Sequence, residues 1–210
     1  MANFEAAKTS VLKIEAKFQT LPTDCGNYLT KSDCRSQKNI IGTNYGISAP
    51  VLQGYRKPIT ITTQDMQNLD EPTAIGIYKA NYWDVIKGDQ IENQSIADTF
   101  FDMAFNYGQV RTVKMMQTIL KKRDPSIVVD GKFGNSTLKA LNQYADQRLF
   151  DEFQQARRVA YIKANKPEFI KGWLNRVDKF KFVPQFIPIL PQFKPTEPQT
   201  QPEPPQFRLA

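Results

Sequence analysis

The chain contains no histidine at any of its 210 positions. A Ser-His-Asp triad, a Cys-His nucleophile and a histidine-ligated zinc site are thereby excluded, because each needs an imidazole. Cysteine is almost absent too, with only Cys25 and Cys34. Two thiols without an imidazole make a poor metal site, so no metal and no cofactor is expected. The pair stays open to two readings, a disulfide in an oxidising compartment or two free thiols in the cytosol. No apolar run approaches the ~18 residues that cross a bilayer, so no integral membrane segment is expected. Met1 to Ser10 carry Glu5 and lack an apolar stretch, so no secretory signal is read there. Bond cleavage at neutral pH is left mainly to carboxylates, and a partly buried glutamate beside a polar cleft suits the breaking of a glycosidic bond.

What is present is globular. Hydrophobic residues make up 40% of the chain, and 14 Phe and 8 Tyr supply bulky core material. A formal charge of +7 favours an anionic partner: nucleic acid, an acidic membrane face or a bacterial cell wall. The nucleic-acid reading rests on charge alone, since no aromatic-basic motif of a nucleic-acid fold is present. The other basic residues, Lys114, Lys121, Lys122, Arg123, Arg157 and Arg158, read equally well as an ordinary charged surface.

Phe4, Ala7, Val11, Ile14 and Phe18 recur at three- and four-residue steps and predict an amphipathic helix. Glu15 falls on the edge of its apolar face, where partial desolvation raises a carboxyl pKa and equips it as a general acid. It also reads as a solvated helix residue pairing with Lys8 or Lys13. From Leu21 to Pro58 the pattern breaks into loops and a short hairpin. Thr63 is expected to cap a short helix, and Pro72 to begin another that ends at Tyr82-Trp83. Further helices carry Ile96 to Tyr107 with Gly108 as stop, Val110 to Leu120, Leu138 to Ala145 behind an Asn135 or Ser136 cap, Phe150 to Ala160, and Pro167 to Val177. The fold class is all-α or nearly so. Beyond Phe182, eight of the 14 prolines and three Pro-Gln-Phe repeats mark an extended tail, either a solvated terminus or a docking tail anchored by Phe186, Phe193 and Phe207.

Taken in order, these residues resemble a known family. The order is a helix-borne Glu15, a polar loop, Thr43-Asn44-Tyr45-Gly46-Ile47-Ser48, Ile77-Tyr78 leading to Tyr82-Trp83, Phe101 to Gly108, Asp130-Gly131-Lys132-Phe133-Gly134, and Gly172-Trp173 with Asn175-Arg176. The chain resembles the glycoside hydrolase family 108 muramidases over roughly residues 4 to 180. The family's Glu-Gly-Gly-Tyr motif reads Glu15-Ala16-Lys17-Phe18 here, with the glutamate kept and both glycines lost. The resemblance implies a lysozyme-like catalytic domain over 1–108, a small helical peptidoglycan-binding domain over 109–182 and a Pro-rich tail over 183–210. It implies that Glu15 protonates the leaving oxygen between N-acetylmuramic acid and N-acetylglucosamine. Asp24, Asp33 and Asp102 are candidates for the second carboxylate, with Asp24 preferred. Thr43, Asn44, Tyr45, Tyr82 and Asn106 would bind substrate. A lytic transglycosylase and a non-catalytic wall-binding or virion protein are the alternatives. The simplest setting is a phage enzyme made in the host cytoplasm and acting on the wall, with virion proteins as partners of the tail.

Overall fold

The computed structural model describes residues 1–12 and 17–184, with the backbone alone at 10–12. Helix α1 (Phe4–Leu12) buries Phe4 and Ala7 against the centre of the molecule. Lys13 to Ala16 lie outside the described residues, so the proposed helical position of Glu15 does too. Phe18 is not on the helix: the chain has turned by then, and Gln19 pairs with Thr43 through two backbone hydrogen bonds of 2.8 and 2.9 Å.

The segment from Leu21 to Pro58 is more ordered than its composition suggests. Asp24 caps a 3-10 turn at Cys25–Asn27, and Thr30 caps α2 (Lys31–Ser36). Cys25 and Cys34 form a disulfide with Cα atoms 5.2 Å apart, which resolves the open question of their state. Closing so short a loop removes denatured-state entropy worth about 2–3 kcal/mol. Cys34→Ser, or reduction of the native protein, is therefore expected to lower the melting temperature. A calorimetric scan with and without reductant checks this.

Strands β1 (Thr43–Asn44) and β2 (Ile47–Ser48) form an antiparallel hairpin with Thr43 opposite Ser48. Tyr45 and Gly46 turn the chain with φ of 47° and 69°, the left-handed pair that a two-residue hairpin needs. Helix α3 (Ala49–Arg56) then begins with Pro50 in its first turn. It was expected as loop, because Pro50, Gly54 and polar neighbours hide a helix that fully buries only Ala49 and Leu52. Helix α4 (Thr63–Gln67) is capped by Thr62 rather than Thr63, in a reciprocal capping box with Asp65. Helix α5 (Glu71–Tyr78) starts behind Asp70, with Pro72 in its first turn, and widens into a π-turn over Lys79–Trp83. Trp83 is fully buried between Phe4 and Phe101, and its indole N–H donates to Asp89 at 2.8 Å.

Helix α6 (Gln94–Tyr107) is the axis of the molecule. It packs against α1 and the π-turn on one side. On the other it meets α7 (Gln109–Leu120) and α9 (Gln147–Lys163). Gly108, at φ 90°, makes the sharp break between α6 and α7. Helix α8 (Asn135–Gln143), which follows Gly134 rather than a polar cap, and α10 (Pro167–Lys179) complete the fold. Among the described residues the architecture is ten α-helices and one two-stranded hairpin, the mainly helical class expected. None of these helices is long and apolar enough to cross a membrane.

Two acidic residues on α6 fare differently. Asp102 is fully buried, and its carboxylate binds Arg157 of α9 and, at 2.7 Å, Arg176 of α10. Arg157 also donates to Thr99 and Gln154, and its guanidinium lies 5.1 Å from the Phe180 ring centre. Arg157, which reads from the sequence as an ordinary surface charge, thus joins Asp102 and Arg176 in locking three helices together. Asp98, one turn earlier, accepts a 2.6 Å bond from Gln94. Burial, with a smaller push from the Asp102 charge, raises its carboxyl to about 6. A carboxyl raised on folding favours the protonated state, so its contribution is present below the unfolded value near 4 and lost as pH climbs past 6. Asp98→Asn is thus expected to raise the melting temperature at pH 7–8 and to leave it unraised at pH 4.

After α10 the chain is held, not free. Phe182 packs on Phe150, Val183 N–H donates to Ser95 Oγ at 2.9 Å, and Asn93 donates to the Val183 carbonyl at 3.0 Å. Two residues assigned to the tail, Val183 and Pro184, are therefore part of the described fold. The anchors Phe186, Phe193 and Phe207 lie outside the described residues.

Candidate active site

A cavity of about 300 Å³ opens between the hairpin region and the end of α6. One wall is the return of the chain after α1: Lys17, Gln19 and Asp24, with Thr43, Gly46 and Ser48 of the hairpin. Facing them are Tyr82 of the π-turn and Phe105 and Asn106 of α6. A larger cleft of about 520 Å³ exists between α7 and α9, but it gathers none of the catalytic or substrate-binding candidates read from the sequence.

Asp24 is fixed by two donors. Its Oδ1 accepts from the Gly26 N–H at 2.9 Å and its Oδ2 from the Gln19 amide at 2.9 Å. Gln19 in turn exchanges hydrogen bonds with the fully buried Asn27, which also donates to the Leu21 carbonyl at 2.8 Å and receives the N–H groups of Ile41 and Gly42. The carboxylate therefore rests on a small amide network held by the Gln19–Thr43 bridge. The Thr43 hydroxyl is buried at the cavity and has no hydrogen-bond partner. A buried hydroxyl left this way is what an ordered water or a sugar hydroxyl would satisfy.

Tyr82 is 8% exposed and packs edge-on against Phe105 with ring centres 5.1 Å apart; burial pushes its phenol up to about 12. It stays a neutral donor at any working pH. Asn106 donates to the Asp102 carbonyl at 2.8 Å, so its position follows the buried ion cluster one turn earlier.

Four of the expected described residues meet in this cavity: Asp24, Thr43, Tyr82 and Asn106. Glu15 lies outside the described residues, two positions before the cavity-lining Lys17. Asn44 and Tyr45 are not among the cavity's lining. Asn44 is 6% exposed and its amide donates to the carbonyls of Met66 and Gln67, tying the hairpin to the end of α4. The half-buried Tyr45 gives its carbonyl to the Tyr78 hydroxyl. Of the candidate second carboxylates only Asp24 reaches the cavity. The Asp33 carboxylate accepts from the Thr30 hydroxyl and the Asn39 amide within the α2 region, and Asp102 is committed to its arginines. Gln19, Ser48 and Phe105 were not foreseen as site residues, because the Gln19–Thr43 pairing forms one wall and the packing of α6 sets Phe105 opposite it. No group of acidic or sulfur side chains able to hold a metal occurs among the described residues.

A helical body with a cavity that joins a tethered carboxylate, an unpartnered hydroxyl, an amide and an aromatic wall has the donors, acceptors and flat apolar face that a sugar ligand needs. The family model for glycosyl hydrolase 108 matches residues 8–108, and that for a predicted peptidoglycan domain matches residues 111–178. The chain belongs to the glycosyl hydrolase 108 family and is a glycoside hydrolase that degrades peptidoglycan. The solved structure of Brucella abortus SagA superimposes with a TM-score of 0.67 at 27% identity, covering 84% of this chain and 90% of that one. No curated protein matches the sequence.

Proposed function

We propose that the chain is an N-acetylmuramidase that cleaves the β-1,4 bond between N-acetylmuramic acid and N-acetylglucosamine, with Glu15 as general acid and Asp24 as the second carboxylate. The observation that carries this is the cavity itself. It starts at Lys17, two residues after Glu15, and holds Asp24 beside the unpartnered Thr43 hydroxyl. In this reading residues 1–108 form the catalytic unit, 109–182 the wall-binding unit and 183–210 the tail.

Glu15 gives its proton to the glycosidic oxygen as the C–O bond breaks, and positive charge builds on the sugar ring. Asp24 answers that charge. Two N–H donors fix the orientation of the Asp24 carboxylate, and we assign it the activation of water rather than covalent attack. Water held between Asp24 and the Thr43 hydroxyl then adds from the far side, and the anomeric configuration inverts. Tyr82 and Asn106 supply donors to the sugar hydroxyl and N-acetyl groups. Phage origin, with delivery to the wall late in infection, is the setting we assign. Product analysis tests the reaction. Digestion of purified walls is expected to add one water per bond cleaved and to leave reducing muramic acid ends, with the inverted anomer at early times. Anhydro-muramic ends would identify a transglycosylase instead.

A further inference from the structure

A second cleft, of about 410 Å³, lies between α9, α10 and the segment that follows α10. Three apolar side chains form its floor: Phe150, Val177 and Phe180 are each at most 9% exposed. Its rim carries both signs of charge, with Asp151 and Arg158 from α9 and Lys181 from the following segment. Arg158 is already paired with Asp178. Lys181 and Gln155 have no hydrogen bond or ion pair with any described residue, so they are open donors over an aromatic floor. Phe180 and Lys181 lie beyond residue 178, where the match to the peptidoglycan domain ends, so this chain builds the cleft partly from its own extension.

We propose that this cleft is a second recognition site on the wall and takes the peptide stem of peptidoglycan. The stem's chemistry matches the rim and the floor. A free carboxylate would pair with Lys181, an amide group with Gln155, an amino group with Asp151, and alanyl methyls would lie on Phe150 and Phe180. The size falls in the range of pockets that enclose a small ligand, ~300–1,000 Å³. Position supports the same occupant. The cleft adjoins the first half of α6, through Gln154, which accepts from Thr99, and through the strap held at Ser95. The proposed active site lies at the other end, at Asn106, and α6 is about 20 Å long. Two sites on one polymer give tighter retention on the wall than either alone. This inference rests on the peptidoglycan-degrading function and is independent of the acid assigned above.

The test is a titration of the full chain with the synthetic tetrapeptide L-Ala-γ-D-Glu-L-Lys-D-Ala, followed by NMR of the Phe150 and Phe180 rings. These rings are expected to shift saturably at millimolar peptide, and Lys181→Glu is expected to weaken binding about fivefold. The same peptide with an amidated C-terminus should bind the wild type more weakly and respond less to Lys181→Glu. Thermal melting confirms that the exposed Lys181 substitution leaves the fold intact. No saturable shift at about 10 mM peptide, or equal binding by Lys181→Glu, overturns the proposal. So does a shift of these rings on Phe186→Ala without any response to peptide, which would give the cleft to the chain's own tail. Glu15→Gln should keep the peptide response, so failure of the catalytic reading and failure of this one remain distinct results.

Discussion

Glu15→Gln is expected to lower wall hydrolysis by about 10²–10⁴-fold while leaving wall binding intact. The leaving alkoxide of a glycosidic bond is far too basic to depart unprotonated at neutral pH, and the transition state needs a proton at that oxygen. Glutamine keeps the shape and loses the proton. Asp24 is not placed to take over this task, because both its oxygens are already engaged as acceptors of N–H donors. Asp24→Asn is expected to fall in the same direction, since it removes the charge that faces the cationic sugar. The measurement is turbidity loss of purified walls beside co-sedimentation with the same walls. Persisting lysis by Glu15→Gln would overturn the assignment of the acid. Loss of binding together with lysis would point to misfolding instead.

Asp102→Asn should damage stability more than any surface change. Arg157 and Arg176 both converge on this one carboxylate, and all three groups are buried. Removing the carboxylate leaves the buried Arg157 guanidinium without its counter-charge, which costs about 3–5 kcal/mol. Typical domains have only ~5–15 kcal/mol to lose. The neighbouring Arg158 provides the contrast. Its bond to Asp178 is on the surface, so Arg158→Ala is expected to cost less than about 1 kcal/mol. Urea unfolding of the two variants side by side separates the cases. The Asp102 effect should extend to activity, because Asn106 is bonded to the Asp102 carbonyl and lines the cavity proposed as the active site.

The helical part of the fold was legible because its signals are local. Apolar residues at three- and four-residue steps, Pro in the first turn of α5 and α10, and Gly108 at the break after α6 each act over one or two turns. The errors fell where local signals conflict or are silent. Helix α3 was lost because Pro50 and Gly54 read as loop, although proline in a first turn is compatible with a helix. Asn44 looked like a sugar ligand beside Thr43, yet alternation along a two-residue strand sends it into the protein, where it satisfies the end of α4. Arg157 and Arg158 looked alike in sequence. Their positions on α9 differ by one residue, about 100° of helix rotation, which puts one in the core and the other at the surface.

By itself, the sequence determined the helical class, the exclusion of imidazole chemistry, the order of motifs and a short list of carboxylates. Composition and periodicity carry that information directly. Tertiary structure alone decided which carboxylate enters the cavity, whether the two thiols join, and which arginine is buried. Each of these depends on pairings between distant segments, Gln19 with Thr43, Cys25 with Cys34 and Asp102 with Arg157 and Arg176. Such contacts are fixed by packing the whole chain at once, and no window of neighbouring residues contains them.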